Sequence, residues 1–242
     1  MYLLVLESIW CKYLNFLTED IYTNIILPCE LLSFIVGLIY WRKFNGTPII
    51  WVVLYLGYNF VNELLAGFYF VYTQKPNTIF FNIHDAIYFI VIFYVYYKFL
   101  KSIAFKRITI LLFAFLLLTH FYFLSTSNIW IQFSLLSLVV GDFFIMILVL
   151  LSFIEIINYS GYTVIKDNFL IYLGLGLLIY IVIQLPVLIV TLIGWMNLSD
   201  ANETLVSFFK LIRNIGFAIG CLMYLIFAYG FYRSKRPQLI KD

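Results

Sequence analysis

Three polar side chains in an otherwise apolar stretch mark where this chain could do chemistry. In the run YLGYNFVNELLAG, Tyr55 to Gly67, residues Asn59, Asn62 and Glu63 recur at spacings of three and four, which sets them side by side on one face of a helix. A carboxylate in hydrocarbon is costly, so that face must look into the interior of a bundle, toward partners or water. Other apolar segments carry candidates of the same kind: Glu30, the adjacent His84 and Asp85, Asp142, Gln184, and the group Lys210, Arg213 and Asn214. Carboxylates, an imidazole, amides and cations at membrane depth make buried ion pairs, ligand sites or ion relays.

The elements that must position these residues follow from composition. Of 242 residues, 64% are apolar and 11% charged, against roughly 25% charged in a soluble domain. This is the balance of a polytopic membrane protein, so lipid bilayer is the first partner. The net charge of +3 reflects lysines and arginines that set topology, and it does not suggest a nucleic-acid partner. Cys11, Cys29 and Cys221 form no CxxC pair and are odd in number; they read as small apolar fillers, with no support for a zinc site or a disulfide framework.

Apolar runs occupy about Asn24–Trp41, Ile49–Tyr72, Thr78–Leu100, Ile108–Leu124, Ile129–Ile154, Phe169–Gly194 and Leu205–Tyr232, each close to or above the roughly 20 residues that cross hydrocarbon. The expectation is an all-α protein of seven transmembrane helices forming a single domain over 1–242. Turn chemistry at Asn45-Gly46-Thr47-Pro48, Pro76-Asn77-Thr78, Ser160-Gly161 and Ser199-Asp200 separates the spans. The short connections predict that sequence neighbours pack as antiparallel neighbours. Residues 1–20 lack a basic n-region and a cleavage site, and place Leu3, Leu6, Trp10, Tyr13 and Leu17 on one face. They read as an amphipathic helix lying on the membrane surface.

If the segments alternate, eleven of the fifteen basic residues fall on one side, from Arg42 and Lys43 through Lys98, Lys101, Lys106, Arg107 and Lys166 to Arg233, Lys235, Arg236 and Lys241. The positive-inside rule then gives N-terminus out and C-terminus in, with 233–242 a short basic cytoplasmic tail. Tyr40-Trp41, Tyr96-Tyr97, Trp130, Trp195 and Tyr229 fall at span ends, where an interfacial aromatic belt belongs. In this orientation Glu30, Asn59, Asn62, Glu63, His84, Asp85, His120, Gln184, Lys210, Arg213 and Asn214 share the outer half of the membrane, and Asp142 lies nearer the midplane as a possible ion relay.

Two readings of that layer stand side by side. In one, Glu30, Glu63 and Asp85 neutralise Lys210 and Arg213 and fix the bundle without a ligand. In the other, the layer lines an outward-facing polar cavity. Adjacent helical residues point about 100° apart, which argues against His84 and Asp85 sharing one metal ion. No metal and no cofactor are implied. Pro186 removes a backbone donor beside Gln184 and predicts a kink. Gly216 and Gly220 form a GxxxG, and Gly174 and Gly176 lighten the sixth span; both read as close helix contacts. The two histidines exclude a three-histidine zinc hydrolase, and GxSxG, HExxH and phosphate-cradling loops are missing from the sequence, so an enzyme is not expected.

The plan resembles that of microbial retinal proteins in length, helix number, Asp85 in the third helix and Pro186 in the sixth. It departs from them where it matters: NIGFA, Asn214 to Ala218, stands where the retinal lysine would be. More closely, ELLSFIVGLIYWRKFNGTP, YNFVNELLAGFY and NTIFFNI resemble seven-helix inner-membrane proteins of AT-rich bacteria that carry no assigned activity. That resemblance implies the fold and a bacterial inner-membrane, multi-pass location, and it transfers no functional residue. The expected function is a receptor-like sensor or binding module with an outward-facing polar cavity, acting through a cytoplasmic or membrane protein partner on a small ligand or ion. The alternatives are a small secondary transporter or ion pathway, for which Asp142 and Pro186 would be relay and hinge, and a non-catalytic assembly subunit.

Overall fold

The computed structural model describes residues 21–159, 165–194 and 203–236; the side chains of some of these, including Lys210 and Arg213, lie outside the description. The expected surface helix at 1–20, the turns at Ser160-Gly161 and Ser199-Asp200, and most of the basic tail fall outside it too. Among the described residues seven long helices follow one another: α1 (Ile21–Ile39), α2 (Ile49–Thr73), α3 (Thr78–Phe99), α4 (Ile103–Thr126), α5 (Leu135–Tyr159), α6 (Phe169–Gly194) and α7 (Glu203–Arg233), with a single helical turn at Trp41–Phe44 between α1 and α2. Six of them, α2 to α7, contain stretches long and apolar enough to cross a membrane, and α1 contributes a shorter apolar stretch, Ile25–Ile39.

Every helix packs on its sequence neighbour, as the short connections predict. Two further contacts, α1 with α7 and α3 with α5, close six of the helices into a ring. Helix α4 lies outside that ring against α3 and α5, and only Thr109 and Leu116 of it are fully buried. The close contacts use glycines. An added Cβ at Gly176 would meet Phe227 at 2.7 Å, and one at Gly174 would meet Phe153 at 2.7 Å, so α6 is seated between α7 and α5. Gly216 accommodates the Gln184 amide and Gly220 accommodates Ile26, as the GxxxG reading expects.

One end of the bundle is stapled by long-range contacts. Phe44, Phe169 and Phe231 are all buried, with ring centroids 4.5 to 5.8 Å apart. Lys43 Nζ donates to the Phe231 and Tyr232 carbonyls at 2.9 and 3.2 Å, satisfying carbonyls that the end of a helix leaves open. Arg236 donates to the Asn45 carbonyl at 3.2 Å. Asp167 accepts from Lys235 at 2.6 Å and faces Arg233 at 3.5 Å. The Lys235 hydrogen bond, aided by the charges of Lys235, Arg233 and Lys166, holds the Asp167 carboxyl below its ordinary value of 3.8. A lowered carboxyl contributes stability that is complete above the ordinary value and lost as pH falls through the lowered one, so this clamp persists at neutral pH and fails only in strong acid.

Glu155 closes the same end. Its carboxylate accepts from the Lys101 amide and, at 3.3 Å, from the Ser102 amide, so a side chain of α5 caps the start of α4 while Ser102 supplies the N-cap itself. Glu155→Ala is expected to cost about 0.5–2 kcal/mol, read as a lower thermal midpoint in detergent together with faster amide exchange in the first turn of α4.

Two local expectations are corrected. The fifth helix starts at Leu135 and not at Ile129, because Asn82 of α3 takes up the polar groups of the intervening turn. It donates to the Ile129 and Gln132 carbonyls, both at 2.9 Å, and accepts from the Ser134 amide at 3.0 Å. Tyr96, expected in an interfacial belt, is wholly buried. The helix of which it is part continues to Phe99, which carries Tyr96 one turn inside the end and onto the core face. Helix α6 runs on through Pro186 as one helix. A second proline, Pro28, lies within α1, two residues before Glu30, which enters the polar interior.

Candidate functional site

The face of α2 that the sequence singles out does look inward, and it meets the neighbouring helices through two hydrogen-bonded nodes. In the first, the Asn59 amide nitrogen donates both to a Glu30 carboxyl oxygen and, at 3.0 Å, to the Tyr224 hydroxyl, tying α2 to α1 and α7. Glu30 is 0% exposed. Its second oxygen is buried with no hydrogen-bond partner among the described residues.

The second node lies one turn along α2. Tyr55 hydroxyl stands 2.7 Å from His84 Nε2, and His84 Nδ1 stands 3.0 Å from Asp85 Oδ1. A neutral imidazole donates through one nitrogen and accepts through the other. With Nδ1–H donating to the carboxylate, Nε2 accepts from the Tyr55 O–H, and one tautomer satisfies the whole chain. Although adjacent helical residues leave the backbone about 100° apart, the side chains of His84 and Asp85 turn toward each other and bond. Asp85 Oδ2 is buried and, like the second Glu30 oxygen, lacks a partner among the described residues.

Tyr55, Asn59 and Glu63 are spaced by four on α2, so the two nodes and Glu63 form one stripe. Glu63 lies within electrostatic range of Glu30 and His84. Asn62 sits beside the stripe in a positioning role: it donates to the Phe80 carbonyl of α3 at 3.3 Å and accepts from Tyr58 at 3.4 Å. Asp142, 2% exposed, enters from α5 within electrostatic range of Asp85, Tyr88 and Tyr180. The depth assigned to it from the sequence as a separate relay therefore adjoins the main cluster.

The remaining candidates spread further. Gln184 packs its amide over Gly216, 2.8 Å from where a Cβ would stand. Asn214 Oδ1 is buried without a partner among the described residues. His120, on peripheral α4, turns Nδ1 to the Leu116 carbonyl at 3.3 Å and its ring edge to Phe89, 6.0 Å between centroids, outside both nodes. Lys210 and Arg213 have no described side chains. Among the described residues no group of three His, Cys, Asp or Glu side chains is spaced to hold a metal ion.

Sequence reasoning missed the tyrosines. Tyr55 and Tyr224 bond directly to candidate residues, while Tyr88 and Tyr180, both partly buried, lie within electrostatic range of Asp142. Weighing tyrosines only at span ends, as an interfacial belt, passed over them. The available signal was spacing: Tyr55 stands four before Asn59 and Tyr88 four after His84. The chain matches no protein-family model, no curated protein and no solved structure.

Proposed function

We propose that this protein is a multi-pass membrane binding module, receptor-like in plan, whose acid- and tyrosine-lined interior takes a small cation or hydrogen-bond-donating ligand. One observation carries the reading. Glu30 and Asp85 each spend one carboxyl oxygen on a fixed protein donor and leave the other buried and unmatched among the described residues. A buried unmatched carboxyl oxygen costs free energy until a donor or cation reaches it, and an intramembrane acid held by its own support network is a site prepared for one.

In this reading all seven helices span the membrane, α1 with help from residues before Ile25, and the chain resides in a bacterial inner membrane. Its basic end, from Lys43 through Glu155 to Arg236, faces the cytoplasm in accord with the positive-inside rule. Occupancy of the interior reaches a cytoplasmic or membrane protein partner through that end. The orientation has a direct check. In a background with native cysteines replaced by serine, a single cysteine at Asn45 should escape an impermeant thiol reagent in intact cells, and one at Lys75 should be labelled; the reverse pattern would invert the bundle.

The ligand reading is tested on purified protein in mild detergent. Its thermal midpoint is measured against a panel of monovalent inorganic and alkylammonium cations. At one hundred times the dissociation constant a bound cation stabilises by about 2.7 kcal/mol. We expect one class of cation to raise the wild-type midpoint and to leave Glu30→Gln unmoved. Equal behaviour of the two proteins across the panel would refute the reading.

A second reading, an ion pathway, draws on Asp142. Its proximity to Asp85 and Tyr88 extends the polar groups from the Glu30 level toward α5, and such a file of titratable groups suits a relay. Cation uptake by the purified protein in liposomes, abolished by Asp142→Asn, would favour it.

A further inference from the structure

The three cysteines are scattered in sequence, yet two of them meet in the fold. Helices α1 and α7 run parallel in a fixed register. Gly220 lies against Ile26, with Cδ1 3.1 Å from the position of a Cβ, and Phe231 lies 3.3 Å from the position of a Cβ on Gly37. Eleven residues separate the two contacts on each helix. Between them Glu30 and Tyr224 are bridged by the Asn59 amide. Cys29 and Cys221 fall inside this interval, near enough for each thiol to feel the charge of the other. Both are free; Cys221 is buried and Cys29 partly exposed.

A disulfide needs Cα atoms roughly 4.4–6.8 Å apart and Cβ atoms facing each other. Gly220 supplies the means: lacking a side chain next to Cys221, it lets the α7 backbone approach α1. We propose that Cys29 and Cys221 form a redox-sensitive dithiol that closes to an intramembrane disulfide, stapling α1 to α7 beside Glu30 and one turn from Tyr224.

The site lies among apolar spans, so the oxidant must be lipid-soluble and must accept two electrons with two protons. A quinone is of that class. Cys29, the more accessible thiol, adds to the quinone as its thiolate; Cys221 then attacks the Cys29 sulfur, and the quinone leaves with both electrons. The two S–H bonds are lost, one S–S bond forms, and the quinone takes up the two protons to become a quinol. The proposal rests on the packing of α1 against α7 and is independent of the ligand reading.

The test uses the full chain in mild detergent or native membranes, oxidised with tetramethyl-1,4-benzoquinone, whose ring positions are blocked against stable thiol addition. Thiols are then titrated with a maleimide in denaturant, and tryptic peptides are mapped without reduction. The wild-type chain should fall from three titratable thiols to one, regain all three on reduction, and yield a peptide pair joined through Cys29 and Cys221. Cys29→Ser and Cys221→Ser should each keep both of their remaining thiols after the same treatment. Retention of three thiols by the wild type, or joining of peptides only between separate chains, would overturn the proposal.

Discussion

Replacing Asn59 by leucine is expected to lower the stability of the purified protein by about 2–3 kcal/mol, read as a drop in its thermal midpoint in mild detergent. The amide is the donor shared by Glu30 and Tyr224, and both acceptors lie buried when it is gone. The cost is that of stranded polar groups more than of a lost contact, so it should be non-additive. Glu30→Leu in the Asn59→Leu background removes the stranded carboxyl, and the double variant should recover part of the loss. Strict additivity of the two substitutions would mean that Asn59 and Glu30 do not act as a unit.

A second large effect belongs to the basic end. Phe231 is 0% exposed and stacks 4.5 Å from the Phe169 ring and 5.8 Å from Phe44. Its removal opens a cavity where α6, α7 and the turn after α1 converge. Phe231→Ala should cost about 3–5 kcal/mol, with Phe231→Leu losing clearly less because most of the volume remains. The midpoint in detergent reports both. Proteolysis adds a locational readout: the segment around Arg233 to Arg236 should become cleavable in Phe231→Ala well below the global midpoint, since Lys43 and Arg236 hold that segment only while the aromatic staple is in place.

How much of this was legible in the sequence depended on the range of the interaction. The helices follow from apolar runs, since hydrocarbon demands about 20 such residues in succession, and the polar face of α2 follows from the three- and four-residue spacing of Asn59, Asn62 and Glu63. The start of α5 did not, because the groups that hold Ile129 to Ser134 out of helix belong to Asn82, some fifty residues away in the chain. Tyr224 was equally hidden. Its hydroxyl matters only because α7 closes the ring against α1, a contact between the two ends of the chain that no local pattern encodes. Cys29 and Cys221, unpaired by any motif, meet for the same reason. Glu155 went unremarked as well, since its role as a cap for α4 needs the packing of α5 beside that helix.

The helical architecture fixes where the polar interior lies, and the ligand reading turns on what fills it. The measurement that bears on this most directly is an infrared difference spectrum, recorded on membrane-reconstituted protein before and after addition of the stabilising cation. If the second oxygen of Glu30 receives the ligand, wild-type protein will show a change in its carboxyl bands that is missing in Glu30→Gln and altered in Asn59→Leu. An identical difference spectrum from wild type and Glu30→Gln would contradict the account, leaving the buried acids as fixtures of the bundle alone.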